Sequence, residues 1–207
     1  MIVLILLAIF VLLIINEFWW KHTNKISETN RKFVHITVGS LVAFWPFLIS
    51  WQDIRYLSLA FIIVIIVSKY FNIFEAIHSV ERPTIGEVFF AVAVGLTTYI
   101  TNNKWIYLIA ILQMSLADGL AAILGVKFGL KNRYKVFGQY KSLIGSLSFL
   151  TCAFLLLILY SSVVSGISII LLFNLALFLT AIENIGVFGI DNLLIPILTV
   201  VFLRLIG

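Results

Sequence analysis

Asp118 stands inside an apolar stretch, LADGLAAILG, where lipid-soluble residues surround it on both sides. A carboxylate placed in hydrocarbon costs several kcal/mol, so an intramembrane acid generally pairs, faces water or serves function. Ala121, Ala122, Gly125 and Gly129 follow it at offsets of three, four, seven and eleven, which puts all five on one helix face. Two readings are open. The stripe is either a close-packing seam between helices, or a surface bare enough for a nucleotide to approach. In the second case Asp118 would hold a Mg²⁺ that bridges phosphates.

Other chemistry-bearing residues lie to either side. The loop from Lys127 to Lys141 carries five basic residues and no acid, and leads into Lys141-Ser142 and Gly145-Ser146 at the start of the next apolar run. A serine and neighbouring backbone N–H groups at a helix start form an anion site, to which a lysine adds charge. The loop lacks the GxxxxGK[ST] arrangement and is no P-loop. Upstream, Arg31, Lys32, His35 and Gly39 open an apolar segment, with Arg31 and His35 one helical turn apart. No Cys or further His completes a zinc set beside His35. A compact charged turn, Glu81 to Glu87, precedes another apolar run. Downstream, Glu183-Asn184 and Asp191-Asn192 bracket a Gly-containing reversal with no basic residue, and Pro196 follows. A bound cation would offset that acidity.

These residues need a scaffold, and composition says which kind. Of 207 residues, 62% are hydrophobic and 11% charged, with mean hydropathy +1.16. Soluble domains carry about 25% charged residues, so the chain is expected to be a single integral membrane domain, 1–207. Apolar runs near 2–20, 33–50, 56–74, 86–101, 105–126, 142–161, 165–183 and 190–206 predict an all-α bundle of seven to eight spans. The first run has no basic leader and no small-residue cleavage site, so it is expected to be retained. Cys152, the sole cysteine, reads as a buried small hydrophobe.

Eleven of the 14 basic residues fall on one side of that topology, which the positive-inside rule makes cytoplasmic. Eight of the nine acids lie on or near the same side, which that rule does not explain; Asp53 is the exception. A surface collecting both signs while its reverse is nearly bare is where chemistry is expected. All five tryptophans, Trp19, Trp20, Trp45, Trp51 and Trp105, fall near span ends.

Taken in order, the segments RKFVHITVG (31–39), RPTIGEVFF (82–90), LADGLAAILGVKFG (116–129), KSLIGSLSF (141–149) and AIENIGVFGIDNLLIPI (181–197) resemble the CTP-dependent polyprenol kinases. That group holds the phytol, dolichol and CTP-using diacylglycerol kinases. The chain is similar, more distantly, to phosphatidate cytidylyltransferases. The resemblance implies CTP as phosphate donor, Mg²⁺, and a membrane-dissolved lipid alcohol as acceptor, with no nucleic acid involved. Under it Asp118 and Asp191 are metal or phosphate ligands, with Asn192 beside the second. Lys141 and Ser142 contact CTP phosphates, with Gly125, Gly129, Gly145, Ser146, Arg31 and Lys32 around them. His35 or Glu183 receives the hydroxyl proton. The sequence departs from the pattern at Ile144, where the family usually has an acid; either Glu87 or Glu183 stands in, or activity is altered. Rival readings are a cytidylyltransferase attacking the α-phosphate and a small transporter.

Overall fold

The computed structural model describes residues 2–23, 28–71, 85–164 and 166–206. Glu81, Arg82, Pro83 and Thr84 of the charged turn lie outside them, and the side chains of Trp19 and Trp20 are likewise not described. Every apolar run found in the sequence falls on helix. The helices are α1 (Ile2–Thr23), α2 (Glu28–Ala43), the short α3 (Trp45–Leu48), α4 (Trp51–Phe71), α5 (Gly86–Ile100), α6 (Lys104–Leu112), α7 (Asp118–Phe128), α8 (Leu143–Val163), α9 (Ile169–Ile185) and α10 (Asp191–Ile206). Segments 51–68, 104–128 and 143–163 are long and apolar enough to cross a bilayer; 2–18, 86–100 and 169–185 are apolar but shorter. Among the described residues, helix length and composition therefore give three helices able to span, as suits a membrane protein, and leave the count of seven to eight unfixed.

The core is a seam of fully buried side chains, including Tyr107, Met114, Phe149, Leu157 and Ile195. Large apolar residues such as Val3, Ile63, Leu159 and Ile170 face outward, as lipid contact favours. α7 packs on α8, α9 on α8, and α10 on α5 and α6, while α1 rests chiefly on α2.

Three local features set up the site. First, α6 and α7 form one continuous helix widened by a π-turn over Gln113–Ala117, directly before Asp118. Such turns re-aim the residues after them and cluster at functional sites. Buried Gln113 donates to the Ala153 carbonyl of α8 at 2.9 Å, which anchors the widened turn. Second, α2 lies hard against this region: a Cβ at Gly39 would stand 2.2 Å from Ser115 Cβ, and one at Gly119 2.3 Å from Ile36. Only hydrogen at those positions lets α2 approach.

Third, the basic loop is not irregular. Strands β1 (Arg133–Val136) and β2 (Gln139–Ser142) pair antiparallel, Tyr134 opposite Lys141 and Val136 opposite Gln139. Phe137 and Gly138 close the turn at φ 43° and 86°, the two left-handed positions that a tight hairpin of this twist requires. The architecture is all-α as expected, with one small hairpin laid between α7 and α8. Phe188 and Gly189 repeat the same left-handed pair between α9 and α10.

Candidate active site

A cavity of about 380 Å³ opens where α2, α7, the hairpin, α8 and the α9–α10 turn meet. Four cations, Arg31, Lys32, Arg133 and Lys141, face three carboxylates, Asp118, Glu183 and Asp191, around it. Asp118 is 2% exposed and Lys32 5%; the Lys32 ammonium donates to Asp118 Oδ2 across 86 positions of sequence. Lys141 Nζ donates to Glu183 Oε1 at 2.5 Å and to the Glu183 carbonyl at 2.7 Å. Burial works against the charged Lys141. The carboxylates of Glu183, Asp191 and Asp118 outweigh it and hold the lysine above its ordinary pKa. Asp191 differs. Its Oδ1 accepts the Asn192 N–H at 3.0 Å, and among the described residues no cation pairs with it.

Ser142 ends β2 and starts α8: its Oγ accepts the Gly145 N–H at 3.1 Å, capping the helix as its type favours. The capped helix start points its dipole's positive end at the cavity. Gly125 and Gly145 touch across the α7–α8 seam, as the packing reading of the small stripe expects, and they line the cavity as well. A Cβ at Gly125 would meet Ser142 Oγ at 2.8 Å and Gly145 Cα at 3.3 Å. Gly129 stands apart. It sits past the end of α7, outside the cavity, where a Cβ would stand 2.3 Å from Ser142 Oγ. Packing alone explains it.

His35 also stands apart from the cavity. It does not line the cavity but an adjoining apolar hollow that shares Arg31 and Asn192 with it. His35 Nε2 lies 3.0 Å from the Met114 carbonyl and 3.6 Å from Asp118 Oδ2. A carbonyl only accepts, so Nε2 carries the hydrogen and is not free to take another proton. Glu183, the other expected proton acceptor, is held by Lys141. Of the two stand-ins for the acid absent at Ile144, Glu183 reaches the cavity, whereas Glu87 faces the hollow and pairs with Arg31 at 3.8 Å.

Sequence reasoning missed the hairpin's part. Arg133, Gln139 and Tyr140 line the cavity, and Tyr134 hydrogen-bonds Ser146 Oγ at 2.6 Å and the Asn184 amide oxygen. Ser146 also donates to Asn184 at 2.8 Å. That triad ties β1 to α8 and α9 and so fixes where β2 presents Lys141. The alternation in RYKV and QYKS around Phe-Gly was the available signal.

Among the described residues no three His, Cys, Asp or Glu side chains converge to form a complete metal cage. Mg²⁺ does not ask for one: it is usually held by one or two carboxylates plus substrate phosphates and water. Lys32 and His35 approach Asp118 at Oδ2 and Asn192 engages Asp191 at Oδ1, which leaves one carboxylate oxygen on each. That donor set fits.

The chain is 33% identical over 180 residues to a phytol kinase of Synechocystis sp., an alignment covering 83% of this chain and 76% of that protein. No protein-family model and no solved structure matches it.

Proposed function

We propose, from the premise that this chain belongs to the polyprenol and phytol kinase family, that it moves the γ-phosphate of CTP to a long-chain lipid alcohol at the cytoplasmic face of a membrane. One observation carries the proposal: carboxylates and lysines remote in sequence meet around a single buried cavity beside an apolar hollow. Four lining cations against three carboxylates suit a polyanion, and the volume lies within the usual range of ligand pockets.

Phosphoryl transfer needs positioning and charge neutralisation more than covalent work. Lys141, Arg133 and the N-terminus of α8 would hold the triphosphate. Asp118 and Asp191 would hold Mg²⁺, which supplies neutralisation of phosphate charge when bound. The alcohol oxygen bonds to the γ-phosphorus as the bond from that phosphorus to the β–γ bridging oxygen breaks, and CDP leaves. In a loose transition state the hydroxyl loses its proton late, so phosphate oxygens can take it and pass it to water. No histidine base is required, in keeping with the His35–Met114 hydrogen bond. Lys32 keeps the Asp118 carboxylate ionised and aimed.

Supplying the purified chain with an isoprenoid alcohol and CTP labelled at either the α or the γ position tests this. Label from the γ position in the lipid is expected; label from the α position would mean cytidylyl transfer instead.

A further inference from the structure

Asn192 lines both the charged cavity and the apolar hollow. Its Nδ2 donates to the Gly86 carbonyl at 2.9 Å, which fixes the amide's orientation. Among the described residues the amide oxygen is then left buried without a hydrogen-bond partner, on a residue 2% exposed. An orphaned buried acceptor costs about 1–3 kcal/mol, and an arriving O–H donor removes that cost. The hollow beyond it is lined by Leu13 of α1, Val34 and Val38 of α2, Phe61 and Ile65 of α4, and Phe90 of α5. Its volume is about 50 Å³, with the Phe61 and Phe90 rings 6.3 Å apart edge to face on one wall, which is room for the carbons next to a hydroxyl rather than for a whole lipid chain. α1, which closes it on one side, rests chiefly on α2 and is the wall lipid has least packing to displace.

We propose that the acceptor's hydroxyl donates to the Asn192 amide oxygen at the junction with the charged cavity, with the carbons next to that hydroxyl seated in this hollow. The identity of the ligand as an acceptor rests on the kinase reading; the hollow and its orphaned oxygen do not. Six apolar side chains from four helices exclude a water-soluble substrate. The polar residues of the hollow are Arg31, His35, Glu87 and Asn192. Arg31 and Asn192 also line the charged cavity, so a bound alcohol has one end at which its oxygen reaches the phosphates.

The test uses the full chain in lipid nanodiscs and a phytol-like alcohol carrying a diazirine within a few carbons of the hydroxyl, photolysed with and without competitors. Cross-links at Val34, Val38, Phe61 and Phe90 are expected. The unlabelled alcohol should displace them at least about tenfold better than its methyl ether, which cannot donate to Asn192. Val38→Trp should cut labelling and acceptor affinity about tenfold while a fluorescent CTP analogue binds as before. Phe61→Ala, on the opposite and less buried wall, should do the same if the Trp variant does not fold. Cross-links spread over outward faces such as Leu159 and Ile170, or equal displacement by alcohol and ether, would overturn the proposal. An alcohol that labels the hollow but is never phosphorylated supports the hollow and removes the kinase reading. Phosphorylation with labelling elsewhere does the reverse.

Discussion

The two ends of the bundle use the same residue types for different work. At the end holding Trp51 and Arg204, polar side chains look after nearby backbone. Asn103 caps the Trp105 and Ile106 N–H groups at 2.9 and 3.3 Å, and Ser50 and Asp53 cap one another's turn. Arg55 donates to the Thr98 hydroxyl and carbonyl, and Arg204 to the Ile100 carbonyl. At the cavity end, buried Lys32, Asp118 and Glu183 and half-buried Lys141 face each other across long loops of sequence. Capping finishes helices locally, while charges gathered around a hollow keep ligand-sized space open at a desolvation cost that local structure does not repay. The comparison separates architecture from chemistry.

The sharpest way to break it is Asp118→Asn. Turnover should fall by at least about a hundredfold, and Lys32 would be left buried and uncompensated, lowering stability by about 3–5 kcal/mol. The double variant Lys32→Met with Asp118→Asn should recover much of the melting temperature and none of the activity. Recovered turnover would make Asp118 structural, like the residues of the far end.

Lys141→Ala comes next. It should raise the CTP KM about tenfold or more with little effect on acceptor binding, read by initial rates at varied CTP. The alkaline limb sharpens the point. Because its folded pKa is raised, the lysine's stabilisation is complete below the unfolded value of about 10.4 and is lost as pH rises through the folded one. Melting scans should show that alkaline loss in wild type and less of it in Lys141→Met.

Gly125→Ala sits where packing and cavity meet. It should cost about 1–3 kcal/mol through crowding of Ser142 and Gly145, and weaken nucleotide binding in proportion. Gly129→Ala, outside the cavity, should cost stability while leaving the affinity of the folded fraction intact. Thermal melts paired with a nucleotide-binding assay separate the two.

Asn103→Ala marks the small end of the scale. Losing that cap should cost about 1 kcal/mol and leave KM and kcat unchanged. A changed KM would tie the far end to the chemistry and dissolve the contrast between ends.

Much of this was legible in the sequence, and the reason differs by residue. Helices over every apolar run follow from lipid solubility and obligatory backbone pairing. Ser142 as a helix start and the chemistry-bearing face of Asp118, Ala121, Ala122 and Gly125 follow from local spacing. The hairpin was legible in principle, through Phe-Gly between alternating strands, but five basic residues masked it as a loop. His35 was placed too near the chemistry because helical spacing aligned it with Arg31 and could not show the Met114 carbonyl that engages it.

By itself, then, the sequence determined the membrane class, the helices, and the few polar residue types a lipid-solvated chain must hold for a purpose, since those depend on composition and near-neighbour spacing. Tertiary structure alone decided that Lys32 meets Asp118 while Lys141 meets Glu183, that Asp191 lines the same cavity with no cation paired to it among the described residues, and that Asn192 stands at the junction of cavity and hollow. Those pairings depend on how close helices approach at Gly39, Gly119 and Gly125, and on a π-turn that re-aims Asp118. They are set by packing between segments remote in the chain, which no local pattern encodes.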